Sequence, residues 1–324
     1  MKSEEMEFNA GEELPPVSIV IPFFNNTEEV DTIVDHISGQ IYPGQQVEII
    51  CIDNGSSLPV KLKKCTYSRI NLIEEKNHPN SPYSARNRGI EASTGDIIVF
   101  IDANSWPDKN WLRSGVNYMQ KKGADIVAGR VDFDFEPKVT AAKLADALTS
   151  LNMKMAVEHR GAAYTANLFV KKNVFDKTGL FEENVRSGGD VRWTLRTKEM
   201  GFTIKYCGSA VVYKKARDTK ALYRKKIRTG RGYFYSWRLE KERTLWFYNF
   251  FRSLKPPDLK KKMAEKPFLP LSLFSGKKPG VWIHLYLSGI VEQVAFMVEF
   301  LKYNLGSQRD IDRRKKLMNK SQQK

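Results

Sequence analysis

Five consecutive apolar residues, Ile97-Ile98-Val99-Phe100-Ile101, run directly into the polar triplet Asp102-Ala103-Asn104. β-Branched and aromatic residues without polar alternation form a strand covered on both faces, as in the interior of a parallel sheet. A sheet covered twice needs helices on both sides, so this stretch constrains the chain to an α/β architecture. The carboxyl end of such a strand is where open α/β sheets take ligands. Asp102 and Asn104, two residues apart, can then direct two oxygens at a metal ion or a phosphate-bearing ligand. The same triplet followed by Trp106-Pro107-Asp108 also suits a turn that starts the next helix.

The flanking sequence repeats the pattern. Val17 to Phe24 reads as a first buried strand ending near Pro22. Asn26 or Thr27 caps a helix with Glu28 and Glu29 in its first turn, and Val30, Ile33, Val34 and Ile37 form one helical face. A second strand, Val47 to Ile52, leads into Asp53-Asn54-Gly55-Ser56-Ser57. Strand, helix and strand of these lengths make a right-handed crossover in a parallel sheet. Ile70 to Ile73 is expected as a third strand, Ser84 to Thr94 as a short helix, Trp111 to Lys122 as a helix, and Asp125 to Phe135 as another strand.

A hydrophobic fraction of 41% and a charged fraction of 28% over 324 residues belong to a soluble globular protein with room for one large domain and an appendage. The net charge of +16 is concentrated: nine Lys or Arg against one acid from Lys214 to Arg231, and seven against two from Ser307 to Lys324. Such stretches suit anionic lipid or a phosphate-bearing substrate, or simply a solvated helix. No nucleic-acid recognition motif accompanies them, so nucleic acid is not expected as a partner. Cys51, Cys65 and Cys207 have neither metal nor disulfide spacing, and Met1 to Pro16 has no basic region followed by an apolar one. A cytoplasmic location is expected.

Val-Ser-Ile-Val-Ile-Pro-Phe-Phe-Asn from Val17, Ile-Asp-Asn-Gly-Ser-Ser from Ile52, Ala-Arg-Asn-Arg-Gly-Ile from Ala85 and the run from Ala92 to Asn104 closely resemble family 2 glycosyltransferases. So do Thr165-Ala166-Asn167-Leu168-Phe169-Val170-Lys171-Lys172, Phe175 to Phe181, and Ser187-Gly188-Gly189-Asp190. The resemblance runs from about Val17 to Gly232. It implies a GT-A type αβα sandwich around a mostly parallel sheet, here over residues 17–235 after a polar tail (1–16). It also implies sugar transfer from a nucleoside diphosphate donor, usually a UDP-sugar, with inversion, onto a hydroxyl of a glycan or lipid-linked acceptor. By the same resemblance Asp53 hydrogen-bonds the base, beside Pro22, Phe23 and Asn25, and Arg86 lies near the phosphates. Asp53 before Gly55 also suits an Asx-turn.

Asp102 and Asn104 occupy the family's metal-binding triplet, which implies Mg²⁺ or Mn²⁺. Two positions depart from the pattern. Asn104 replaces the usual second Asp, and Lys214 stands where relatives carry a His near the metal. A protonated Lys is a poor ligand but neutralises phosphate as a point charge, so weakened metal dependence is one expectation and Mg²⁺ or Mn²⁺ held by Asp102, Asn104, diphosphate and water is the other. Asp190 matches the general base; Gly188-Gly189 lets the backbone bend so that it faces the cleft, and an N-cap role is compatible. Trp106 and Trp193 are candidates for stacking on acceptor sugars. Gly189, Asn104 and Lys214 keep a second reading open, a non-catalytic nucleotide-sugar-binding protein on the same fold.

Residues 236–306 read as an aromatic linker with prolines and an amphipathic helix, and 307–324 as a basic tail. Ser236-Trp237-Arg238 lacks the Gln-x-x-Arg-Trp signature of processive synthases. On the helix from Trp282 to Leu305, His284, Ser288, Glu292, Glu299 and Lys302 form a polar stripe. Two glutamates argue against a membrane span. The helix is expected either at an anionic membrane surface, giving a peripheral protein on the inner face, or buried against the catalytic domain or a second copy in a homodimer.

Overall fold

The computed structural model describes residues 14–25, 27–58, 69–79, 81–183, 185, 187–239 and 255–305. The strands are β1 (Val17–Phe23), β2 (Val47–Asp53), β3 (Arg69–Glu74), β4 (Ile97–Ile101), β5 (Ser105–Pro107), β6 (Ile126–Asp134), β7 (Asn167–Lys171) and β8 (Ile204–Lys215). They form one sheet in the order β3-β2-β1-β4-β7-β6-β8-β5. β1 with β2 and β4, β2 with β3, and β6 with β8 are parallel. β4 with β7, β6 with β7, and β5 with β8 are antiparallel.

The helices are α1 (Thr27–Ser38), α2 (Pro82–Ala92), α3 (Trp111–Lys122), α4 (Ala141–Thr149), α5 (Met153–Met155), α6 (Lys172–Thr178), α7 (Gly189–Glu199), α8 (Thr219–Leu239), α9 (Leu259–Ala264) and α10 (Lys278–Leu305). The period of two along β1, β2 and β4 divides the core into two layers. Ile19, Ile21, Ile49, Cys51, Val99 and Ile101 pack with Val30 and Ile33 of α1 and Leu112 and Val116 of α3. Val20, Ile50, Ile52, Ile98 and Phe100 pack on the other face with Tyr83, Ala85 and Ile90 of α2 and Trp193 of α7. The expected αβα sandwich is therefore the fold. Non-alternating runs were the right signal because both faces of each strand are covered.

Element limits move by a residue or two. The helix expected from Ser84 begins at Pro82, whose fixed φ suits a first helical turn, with the Ser81 hydroxyl accepting from the Ser84 amide at 3.3 Å. The C-terminal helix docks on the catalytic domain: Val281 and Leu285 join Leu144, Ala145, Leu148, Leu222 and Phe274 in a further core. α8 continues past residue 235 and lies along α10, and a Cβ on Gly230 would overlap the Glu292 carbonyl oxygen. Cys51 and Cys207 are buried free thiols. Cys65, the aromatic cluster Trp246 to Phe251 and the basic tail lie outside the described residues.

Candidate active site

Register aligns the strand ends. Phe23 pairs with Asp53 across β1 and β2, and Val20 with Phe100 across β1 and β4. Pro22, Phe23, Asp53 and Asp102 therefore share one edge of the sheet. β1 separates β2 from β4, so Asp53 lies about 10 Å from the β4 tip at the usual strand spacing. The Asp53 Oδ1 accepts from the Ser56 amide at 2.8 Å, one residue beyond the Gly55 amide that an Asx-turn would use. Asn25 adopts a left-handed backbone (φ 55°). Its Oδ1 accepts from the amide and hydroxyl of Ser57, each at 2.9 Å, and its amide donates to Ser56 Oγ at 2.8 Å. These bonds tie the loop after β1 to the loop after β2 and brace the rim on which Asp53 stands.

At the β4 tip the charges interlock. Arg86, 5% exposed on α2, donates from Nη2 to Asp102 Oδ1 at 3.0 Å and from Nη1 to the Pro82 carbonyl at 3.1 Å. The β5–β8 pairing sets Lys214 opposite Ser105. From there Lys214 Nζ donates to Asp102 Oδ2 at 2.7 Å and to Asn104 Oδ1 at 2.5 Å. Burial by itself would raise the Asp102 carboxyl, but Lys214 and Arg86 overcome it and hold that group well below the usual carboxylate range. Burial lowers the Lys214 ammonium from its ordinary value, opposed chiefly by Asp102. The Asp102 side chain remains 31% exposed while that of Lys214 is 4% exposed, so the carboxylate is the outward member of the pair. Nearby, Asp146 is fully buried and holds Arg217 at 3.2 Å and Lys225 at 3.3 Å, and the Arg217 charge also acts on Asp102 and Lys214.

Asp190 sits in the first turn of α7 after Gly188, whose φ of 79° turns the chain into the helix. A Cβ on Gly189 would stand 2.8 Å from the Tyr83 ring, so no larger residue fits there without displacing Tyr83. The Asp190 Oδ1 accepts from the Tyr83 hydroxyl at 3.0 Å and the Val191 amide at 2.9 Å. Its Oδ2 accepts from the Thr165 amide at 3.2 Å and hydroxyl at 3.4 Å. These oxygens stand at the positive end of the helix dipole. The Arg86 guanidinium lies 5.6 Å from the centre of the Tyr83 ring. Asp190, Tyr83, Arg86, Asp102, Lys214 and Asn104 thus form one continuous series of contacts.

Of the expected acceptor residues, Trp106 is half-buried and stacks on Tyr213 with ring centres 6.3 Å apart, beside the triplet as anticipated. Trp193 is a correction. It is 2% exposed, stacks on Phe175 at 4.6 Å and donates from Nε1 to the Gly179 carbonyl at 2.8 Å, so it offers no ring face to a sugar. It shares the buried face of α7 with Asp190, Thr194 and Thr197, so helix periodicity gave no apolar signal for its core role. Asn167 Nδ2 donates to the carbonyls of Arg130 at 2.8 Å and Ala210 at 2.9 Å where the β6–β8 register shifts, and a Cβ on Gly129 would overlap that amide. Tyr83 and Thr165, which hold Asp190, were not anticipated; Thr165 stood within a quoted motif but carried no assigned chemistry.

The donor set does not fit a divalent cation. Both oxygens of Asp102 and the oxygen of Asn104 already accept from a guanidinium and an ammonium, and a metal ion would bring like charge against the buried Lys214. Among the described residues no group of three His, Cys, Asp or Glu side chains could hold a metal ion.

The glycosyl transferase family 2 profile matches residues 18–180, which contain β2, β4, Arg86, Asp102 and Asn104 and all of β1 but Val17. The chain belongs to glycosyl transferase family 2. Glycosyltransferase AglE of Haloferax volcanii is 34% identical over 232 residues, covering 70% of this chain and 76% of that protein. Pre-mycofactocin glycosyltransferase of Mycobacterium tuberculosis is 28% identical over 204 residues, 60% of this chain and 42% of the relative's length. The fold is shared with the mannosyltransferase PcManGT of Pyrobaculum calidifontis, solved with GDP-Man and Mn²⁺ (TM-score 0.60, 17% identity, 91% of this chain and 88% of that one). It is also shared with S. aureus TarS 1–349 bound to UDP-GlcNAc (TM-score 0.50, 10% identity, 90% and 92% covered). These likenesses make the chain a GT-A glycosyltransferase.

Proposed function

We propose that this glycosyltransferase moves a hexosyl or N-acetylhexosaminyl group from a nucleoside diphosphate donor, of the UDP type, to a hydroxyl of a glycan or lipid-linked acceptor, with inversion and without a metal ion. The observation that carries the reading is the unbroken series from Asp190 to Lys214. It sets a carboxylate fit to take a proton beside a cation pair fit to receive negative charge.

In this reading Asp53, with Pro22, Phe23 and Asn25, holds the base. The diphosphate lies over the Asp102 cluster, where Arg86 and Lys214, both buried behind that carboxylate, outweigh its charge, with Asn104 keeping the ammonium in place. One Asp190 oxygen takes the proton of the acceptor hydroxyl as its oxygen forms a bond to the anomeric carbon. The anomeric bond to the diphosphate breaks on the opposite side, and its electron pair leaves with the diphosphate. The long 3.4 Å contact from the Thr165 hydroxyl is the one an incoming hydroxyl displaces most cheaply. A guanidinium and an ammonium in place before the donor arrives are preorganised for the leaving charge. Trp106 lines the acceptor side.

The experiment is a panel of UDP- and GDP-sugars read by thermal shift and by release of nucleoside diphosphate, each in excess chelator and in Mn²⁺. A donor stabilises only the state that binds it. One donor class is expected to raise the melting temperature and to turn over equally in both buffers. Turnover abolished by chelator overturns the metal-free reading. Nucleotide binding with no release from any donor favours a binding protein instead.

A further inference from the structure

α10 is built inside out for a helix in water. Its polar stripe, apart from Lys302, faces the protein: Glu292 takes Lys226 at 3.1 Å and the Thr229 hydroxyl at 2.5 Å, Glu299 meets Arg231 at 3.5 Å, and His284 Nδ1 lies 3.3 Å from the Tyr223 hydroxyl. Ser288 is buried. Outward point Ile283 (48% exposed), Leu287 (44%), Val294 (53%), Val298 (38%), Leu301 (43%) and Leu305 (78%). At 100° per residue these six fall within about 60° of arc, one continuous apolar stripe along the helix. A helix docked on a soluble domain normally turns this face inward and its charges out.

We infer that this stripe is a docking surface for an anionic lipid bilayer, with α10 lying in the plane of the interface. Charge complementarity selects the lipid over a second copy of the chain. α8, packed along α10, carries seven Lys or Arg and no acid, and Lys220, Arg224, Arg228 and Arg231 are exposed on it. Two such helices brought together by a twofold contact would oppose like charges, whereas anionic headgroups neutralise them. Lys278 and Lys302 are exposed near the two ends of α10. By length and composition alone α10 could cross a bilayer. The partner that satisfies its glutamates is a helix whose exposed cations cannot enter hydrocarbon, so an in-plane placement fits both helices. The inference is independent of how the transferase site works.

The test is flotation of the full chain with phosphatidylcholine vesicles and with vesicles containing phosphatidylglycerol, alongside its mass in solution. Wild type is expected to float with the anionic vesicles, less so as salt rises. The Val294→Glu/Val298→Glu variant, altered only at exposed positions, is expected to lose binding by roughly tenfold or more with an unchanged thermal melt. Ile283→Glu, nearer the other end of the helix, is the second variant should the first melt early. Unchanged flotation of a folded variant overturns the proposal, as does equal binding to neutral vesicles. A dimer that dissociates on Val294→Glu/Val298→Glu while wild type ignores vesicles overturns it in favour of a second copy.

Discussion

Replacing Lys214 by Met separates what the ammonium does for stability from what it does for the reaction. In the folded protein Nζ bonds Asp102 at 2.7 Å and Asn104 at 2.5 Å, and the residue is 3% exposed. Removing it leaves Asp102 with Arg86 at 3.0 Å and with a side chain 31% open to solvent, so the carboxylate is not stranded. Losing a charged hydrogen bond costs about 1.5–3 kcal/mol, but relief of a desolvated ammonium and the partial exposure of Asp102 offset most of it. We therefore expect about 0–1 kcal/mol of destabilisation in urea titration. The catalytic effect is larger. One preorganised donor aimed at developing charge is worth about 2.7–4 kcal/mol, or roughly a 100- to 1,000-fold fall in turnover. The assay is nucleoside diphosphate release in chelator, with Lys214→His in Mn²⁺ alongside; the His variant is expected to recover turnover only with the metal. Turnover of Lys214→Met within about threefold of wild type, on a folded protein, would refute the role given to the ammonium.

Other outcomes follow from single contacts. Asp146→Asn leaves Arg217 and Lys225 without their buried carboxylate and is expected to cost about 3 kcal/mol in urea titration, at the low end for a broken buried pair because those cations are 22% and 17% exposed; a loss under about 1 kcal/mol would contradict it. Gly115→Ala would push a methyl into the Phe169 ring, costing about 1–3 kcal/mol and visible as a lower melting temperature. Glu75 is buried, which raises its carboxyl, yet it accepts from the amides of His78 at 2.9 Å and Asn77 at 2.6 Å and from Arg88 at 3.0 Å, and these lower it overall. A depressed folded value means stability present above the unfolded value of 4.5 and lost as pH falls through the folded one. The gap between wild type and Glu75→Gln should therefore be full at neutral pH and shrink below that value; a gap independent of pH would contradict the assignment.

The parallel half of the sheet was legible because each of its strands is covered twice and says so in an unbroken apolar run. The antiparallel pairings of β5 and β7 were not, since Ser105-Trp106-Pro107 carries no strand pattern and pairs only because β8 extends to Lys214. Asp102, Asn104 and Lys214 were each named from the sequence, but their mutual contact joins residues 112 and 110 positions apart, which spacing cannot reveal. Trp193 looked like a sugar platform because aromatic type alone does not distinguish a cleft from a core. The polar stripe of α10 was read correctly, yet which way it faces depends on Lys226, Thr229 and Gly230 of another helix. Tyr83 escaped notice for a similar reason: its hydroxyl finds Asp190 across 107 residues.

Asp190→Asn gives the most direct measurement on the transferase site, through turnover and nucleotide affinity determined on the same preparation. The amide keeps the shape that packs against Tyr83 and Thr165 but cannot take a proton from an acceptor hydroxyl. Turnover should fall by about 100- to 10,000-fold while the dissociation constant for nucleoside diphosphate stays within about threefold of wild type. Turnover close to wild type in a folded Asp190→Asn protein would contradict the role of that carboxylate and, with it, the reaction drawn across this cleft.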